Sequence, residues 1–339
     1  ITTLRRGQRL LRRTHKPENS VLIQPHVTKK LKFMKKNILI TGVAGFIGSK
    51  VAARFKKENY NIFGVDDLST GSLKNIPKGI KFIKADISNK KAINLLPKEC
   101  YQILHLAGQS SGEISFEDPI NDLNKNTSST LNLIDYGIKK KVKLFLYASS
   151  MSVYGKLLKK KANEQDVCEP LSCYGVSKLT SEKYLKLFCK KLPFIGLRMF
   201  NVYGPGQNMN NLKQGMVSIY LAQALKNKKI IIKGSLNRVR DFIFIDDVVD
   251  AWFKASLLKK NLNQNINIGS GIPTSVKELV ELITHKIKKT NFLIIKGTKG
   301  DQDFICSNNK LSKKIFNKKE FISLDLGLDK FIHFLNKYR

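Results

Sequence analysis

The chain has 339 residues, 42% of them hydrophobic, and a formal net charge of +35. That length can bury a large core, and no apolar run approaches the roughly 18 residues a membrane helix needs. A disordered tail protein and a membrane span are both excluded, and the basic N-terminus lacks the continuous apolar segment of a secretory signal.

So basic a balance raises the question of a nucleic-acid partner. Part of the charge is concentrated in residues 1–33, where Glu18 is the only acid. The rest is scattered lysine, with short runs at Lys139–Lys141 and Lys159–Lys161. No aromatic platform interleaves with those runs, as a single-strand binder would need. The reading is a solvated surface, with no nucleic-acid and no membrane partner, that steers an anionic small substrate. Five cysteines (Cys100, Cys168, Cys173, Cys189, Cys306) form no CxxC pair. Neither a disulfide framework nor a metal site is indicated, and reduced thiols in a cytoplasmic protein are the default.

Residues 1–33 show no clear amphipathic period and are expected to lie outside the fold. Met34, just before the first convincing strand, is a candidate natural start, and an Arg-rich targeting peptide is the alternative. Short, nearly continuous apolar runs then alternate with helix-length segments: 37–41, 61–65, 80–85, 102–107, 143–149 and 193–200. That alternation predicts an α/β fold with a doubly wound parallel sheet covered on both faces. After residue 200 the rhythm changes. NVYGPGQ is loop chemistry, 214–226 reads as a helix, 240–257 as a strand and helix, and 274–287 as a helix whose Thr274 or Ser275 caps it with Glu278. The expected division is a dinucleotide-binding Rossmann-type domain over 34–200 and a smaller α/β substrate domain over 201–339, with 240–268 returning to the first.

TGVAGFIGS (41–49) follows the first strand and opens a helix, placing Gly42, Gly45 and Gly48 in a GxxGxxG spacing. A tight turn, close backbone approach and a helix N-terminus together suit a pyrophosphate. Asp66 ends the next strand, eighteen residues beyond Gly48, where a carboxylate accepts from both adenosine ribose hydroxyls and favours NAD over NADP. Asp86 follows the third strand. HLAG ends the fourth, where His105 reads as a packed strand residue. Ser149 and Ser150 emerge from the fifth strand at the edge where open α/β sheets bind ligands. Tyr174 and Lys178, four apart, share a helix face.

Taken in order, TGVAGFIGS, VDDLSTG, ADIS, HLAG, SSMSVYG, YGVSK, LRMFNVYGPG and RDFIFIDDV resemble the extended short-chain dehydrogenase/reductase family, in particular its nucleotide-sugar epimerases. The resemblance spans 36–339. It implies NAD as cofactor and a nucleotide-diphosphate sugar as substrate, with Ser150, Tyr174 and Lys178 catalytic. Tyr174 would take a proton from a sugar hydroxyl while hydride passes to NAD, and return of hydride to the other face of a 4-keto sugar would invert C4. A Lys ammonium and a positive nicotinamide should favour the phenolate. Cofactor contacts are implied at Gly42, Gly45, Phe46, Ile47, Gly48 and Asp66, then at Asp86, Ile87, Ala107, Asn126 and Ser149, with Tyr174 and Lys178. Substrate contacts are implied at Ser150, Asn201, Met216, Val217 and Arg240, whose guanidinium can grip a diphosphate. A homodimer through the Tyr174 helix and the 122–137 helix is expected.

Two departures narrow the reading. Dehydratases of the family carry Thr-Asp-Glu at the serine position and the decarboxylases a Glu, whereas this chain has Ser150-Met151-Ser152, which disfavours both; a reductase, C4 oxidation without return, or a dehydratase are the rival activities within the family. Thr298 stands where the family often has an Arg, so Lys296 or Lys299 is needed for a second diphosphate cation. A protein of another class, non-catalytic and NAD-sensing or RNA-binding, would not need Ser150, Tyr174 and Lys178.

Overall fold

The computed structural model describes residues 35–157, 160–297 and 300–337. The expectations for residues 1–33, Met34, Lys159, Thr298 and Lys299 lie outside the described residues.

The first half alternates strand and helix: β1 (Asn37–Thr41), α1 (Phe46–Lys57), β2 (Asn61–Asp66), β3 (Lys81–Lys84), β4 (Gln102–His105), α2 (Gly112–Glu117), α3 (Pro119–Leu123), α4 (Ser129–Lys139), β5 (Leu144–Ser150), α5 (Cys173–Phe188) and β6 (Phe194–Met199). The second half holds β7 (Asn201–Tyr203), α6 (Met216–Asn227), β8 (Lys229–Lys233), β9 (Val239–Arg240), β10 (Phe242–Phe244), α7 (Ile245–Ser256), β11 (Gln264–Ile268), β12 (Thr274–Ser275), α8 (Val276–Lys286), β13 (Asn291–Ile295), α9 (Lys310–Phe316) and α10 (Leu324–Lys337).

Seven strands pair in parallel in the order β11-β6-β5-β4-β1-β2-β3. The apolar runs are continuous because both sheet faces are covered: Ile38, Leu39 and Ile40 are fully buried, and all seven residues of β5 are buried. From β1 the chain winds outward to β3, then returns through β4 on β1's other side. That reversal opens a crevice at the carboxyl ends of β1 and β4.

The 240–268 segment packs with the first half of the chain. Residues 35–339 cluster as one compact unit, and α7 packs on α1, with Trp252 buried in the same cluster as Val51, Phe55 and Ile243. Each such buried large side chain contributes about 1.5–3 kcal/mol. β11 then extends the sheet beside β6. A second core, under α6, α8 and α10, gathers Val217, Leu221, Ile230, Leu279 and Phe331.

Two local readings change. Asn201–Tyr203, taken as loop, forms a short strand because Val202 and its neighbours pair in parallel with Phe242–Phe244. The 122–137 helix is broken by a π-helical turn over Asn124–Ser128 between α3 and α4, a feature that often marks functional sites. The Ser275–Glu278 capping box is present at the start of α8.

Candidate active site

At the carboxyl edge of the sheet lies a cleft of about 790 Å³, large enough for a dinucleotide end and a second small molecule. Its floor is the glycine turn. Gly42 has φ +70°, and a Cβ there would lie 2.7 Å from the Ala107 nitrogen. A Cβ on Gly48 would fall 2.0 Å from the Gly42 carbonyl oxygen, so α1 can approach the turn only without one. Helix α1 starts after Gly45 with no side-chain cap, leaving its first N–H groups and the positive dipole end for an anion.

Asp66 is nearly buried, and its oxygens accept from the Ala44 nitrogen at 2.9 Å and the Leu68 nitrogen at 2.8 Å. Burial pushes its carboxyl up, opposed by those two bonds. A glycine cradle, an uncapped helix and a carboxylate at the next strand end together fit an adenosine diphosphate moiety.

At the opposite wall, β5 and α5 meet. Ser172 caps α5 by accepting from the Gly175 nitrogen, and this sets Tyr174 and Lys178 on the face turned to the strand end. Tyr174 lies within electrostatic reach of the Ser150 hydroxyl, whose Oγ is 3.2 Å from Ser152 Oγ, and Lys178 donates to the Ala148 carbonyl at 3.0 Å. Lys178 Nζ lies 5.7 Å from the Tyr174 ring centroid and 5.1 Å from that of Tyr147. Burial pushes Tyr174 up to about 12, with Asp122 adding to the rise and Ser150 opposing it. Burial also brings Lys178 down to about 8, against the pull of Asp122 and Glu182. Burial alone therefore moves Tyr174 away from the phenolate, whereas the Lys178 ammonium and the positive ring of an oxidised nicotinamide would both act the other way.

Most of the residues singled out in the sequence line this one cleft: Gly42, Gly45, Phe46, Ile47 and Gly48 at the turn; Asp66, Asp86, Ile87 and Ala107 at the strand ends; Ser149, Ser150, Tyr174, Lys178, Asn201, Met216, Val217 and Arg240 beyond. Ser149 lines it by its backbone, because its side chain donates to the buried carboxylate of Glu182. Asn126 stands apart. It is buried one turn after Asp122, to which it donates at 3.1 Å, and its Oδ1 has no partner and backs onto Gly108. Its neighbour Lys125 lines the cleft instead.

His105 is fully buried, bonded to Thr41 Oγ1 at 2.8 Å and Thr130 Oγ1 at 3.1 Å. Burial and the nearby Lys178 bring it down to about 3, so it stays neutral and does no acid–base work. Thr41 Oγ1 accepts from the Ala107 nitrogen, so its own proton goes to His105 Nδ1 and ties β1 to β4.

Several residues escaped the sequence reading. Gln109 donates to both Asp122 and the Ser111 carbonyl at 2.8 Å and shapes the loop after β4. That loop meets the other lobe through Ser111 Oγ to the Lys213 carbonyl and Gln214 Nε2 to Ser110 Oγ, at 3.2 and 2.7 Å. Arg238 joins Arg240 on the carboxylate of Asp301. Two guanidinium groups on one carboxylate leave a net positive charge at this end of the cleft, while Lys296 is exposed. The position of Gln109 after a strand was a usable signal, whereas the pairing of Arg238 with Asp301, 63 residues away, was not. Among the described residues no group of three or more His, Cys, Asp or Glu is arranged to hold a metal, and no helix is long and apolar enough to cross a membrane.

A doubly wound sheet with a glycine cradle at its switch point and a Ser-Tyr-Lys group at its carboxyl edge defines an NAD-dependent enzyme that moves hydride to and from a hydroxyl-bearing carbon. Residues 38–269 match the model of the NAD dependent epimerase/dehydratase family, and the chain belongs to that family. It is 37% identical over 257 residues to a putative UDP-glucose 4-epimerase of Methanocaldococcus jannaschii, covering 74% of this chain and 82% of that one. It is similar in structure to the UDP-glucose 4-epimerase of Thermotoga maritima with UDP-glucose, at a TM-score of 0.84 and 31% identity over 89% of this chain and 99% of that one. The Thermus thermophilus UDP-glucose 4-epimerase in complex with NAD is similar with a TM-score of 0.82 and 26% identity, over 88% and 99% of the two chains.

Proposed function

We propose that the protein inverts C4 of a UDP-hexose, interconverting UDP-glucose and UDP-galactose, with Ser150, Tyr174 and Lys178 as the catalytic group. The observation that carries this reading is the convergence of Tyr174, Ser150 and Lys178 at the strand end, with neutral Ser150-Met151-Ser152 beside them and no carboxylate to assist elimination of water.

NAD, which Gly42, Gly45, Phe46, Ile47, Gly48, Asp66 and Ile87 would hold, would supply the hydride acceptor and donor that the reaction needs. Tyr174, with Ser150 beside it, accepts the proton of the C4 hydroxyl and returns it to the C4 oxygen when hydride adds to the opposite face of the carbon. Lys178 stays charged at neutral pH and holds the site's positive potential against the phenolate. Arg240, backed by Arg238, grips the diphosphate, and the uncapped first turn of α6 at Met216 and Val217 offers it further N–H groups after Gly215. Asn201, whose side chain already donates to the Asp241 carbonyl at 3.0 Å, borders the sugar.

The protein acts as a homodimer through α4 and α5, a reading supported by exposed Val176 and Leu187 on α5. Its five free cysteines suit the cytoplasm. Incubating purified protein with UDP-galactose and no added NAD tests the reading. UDP-glucose should appear, and Tyr174→Phe should lower its rate by roughly 10²–10⁴-fold, the span of general acid–base contributions. Failure to convert UDP-galactose even with NAD supplied would reject the hexose assignment.

A further inference from the structure

Lys125 sits in the π-helical turn between α3 and α4 and reaches two carboxylates on different loops. Its Nζ lies 2.6 Å from Asp67 Oδ2, just after β2, and 2.8 Å from Asp86 Oδ2, just after β3. Both acids are set in place by their own loops. Asp67 Oδ1 accepts from the Ser69 nitrogen and hydroxyl at 2.9 and 2.6 Å, and Asp86 Oδ1 from those of Ser88 at 3.0 and 2.7 Å. Each acid is left with one oxygen aimed at the ammonium. All three groups stay charged at neutral pH, since pairing lowers both acids and raises Lys125 in spite of partial burial.

The two loops so joined both line the adenosine end of the cleft, next to Asp66 and Ile87. They are also the least supported part of the sheet. β3 is a four-residue edge strand paired to β2 alone, and none of its residues is fully buried. Nothing else among the described side chains bridges the ends of β2 and β3. An enzyme that takes hydride out and puts it back leaves its cofactor in the starting state, so a cofactor that stays bound serves it better than one that exchanges.

We infer that Lys125 is a cofactor-retention residue, an ionic strap between Asp67 and Asp86 that sets how slowly the dinucleotide leaves. The inference rests on the NAD reading of the cleft. The Asp66, Asp67 and Asp86 carboxylates against one ammonium also leave the adenosine end negative, which disfavours a 2′-phosphate.

The test loads full-length protein with NADH, whose fluorescence reports the bound state, and chases it with excess NAD at 0.1 M and 1 M salt. Wild-type release should quicken with salt, because partly exposed ion pairs are screened. Lys125→Met should release NADH about tenfold faster at low salt and lose the salt response. Lys125→Arg should restore slow, salt-sensitive release. Asp86→Asn, which removes one anchor and keeps the shape, should fall between and serves if the Met variant does not fold. Wild-type release from Lys125→Met, or faster release that keeps the wild-type salt response, overturns the strap alone. Failure of the wild type to bind NADH overturns the cofactor reading and the strap with it.

Discussion

Glu182 on α5 takes the Arg198 guanidinium on both its oxygens, from Nε at 2.9 Å and Nη2 at 2.7 Å, with both side chains almost wholly buried. The same carboxylate accepts from Ser149 Oγ and from Asn265 Nδ2. One acid thereby ties the catalytic helix to β5, β6 and β11, two turns beyond Tyr174 and one beyond Lys178. Removing a single partner of such a pair strands a buried charge, which costs about 3–5 kcal/mol. Glu182→Ala should unfold at clearly lower denaturant concentration than wild type. A midpoint unchanged within error would show that the pair contributes nothing net.

Gly48→Ala probes the cradle without touching any polar group. The added methyl would sit 2.0 Å from the Gly42 carbonyl oxygen, which is backbone and cannot swing away. The turn and the start of α1 must separate, so NAD affinity should fall by more than tenfold with a measurable loss of stability. Calorimetric titration of the variant with NAD checks it, and wild-type affinity would contradict the close approach.

The pH profile follows from Lys178, whose ammonium is lost from the free enzyme near pH 8 because burial lowers it from the ordinary value of 10.5. As it discharges, the phenolate of Tyr174 loses a stabilising charge, so kcat/KM should decline on the alkaline side with an apparent pKa of about 8. Lys178→Arg should be slower but lack that limb, since a guanidinium stays charged. Stability moves the other way. Between pH 8 and 10.5 the unfolded chain binds a proton the folded one has released, so this residue's contribution to stability rises with pH across that window and is lost as pH falls through 8.

Arg240 and Arg238 should separate KM from kcat. Loss of a charge-assisted contact to the substrate's diphosphate removes about 1.5–3 kcal/mol of binding common to ground and transition states. Arg240→Met should raise KM for the UDP-sugar by roughly 10–100-fold with kcat little changed. Arg238→Met, one layer behind, should raise it less. A fall in kcat at unchanged KM for either variant would contradict a binding role.

Much of this was legible because the chemistry is local. The turn at Gly42–Gly48, Asp66 at a strand end and the Tyr174–Lys178 spacing each lie within one strand-turn-helix unit, where period and residue type dictate geometry. The central strands were equally plain, since strands buried on both faces must be apolar throughout. The small outer sheet was less so: β8 and β13 pair with one another between residues 62 positions apart, and nothing in either run names its partner. That Lys125 lines the cleft was not legible, because a π turn does not show in the apolar period of the sequence. That burial raises Tyr174 was not legible, because spacing along a helix says nothing of burial.

By itself, the sequence determined the parallel sheet, the dinucleotide cradle and the residue types that can do hydride and proton chemistry, because each depends on contacts within a few residues. Only the tertiary structure decided that β8 pairs with β13, that Arg238 and Arg240 share Asp301, and that Lys125 spans Asp67 and Asp86. It also decided the protonation of Tyr174 and Lys178. Those outcomes depend on burial and on partners distant in the chain, and both exist only once the strands have taken their order in the sheet.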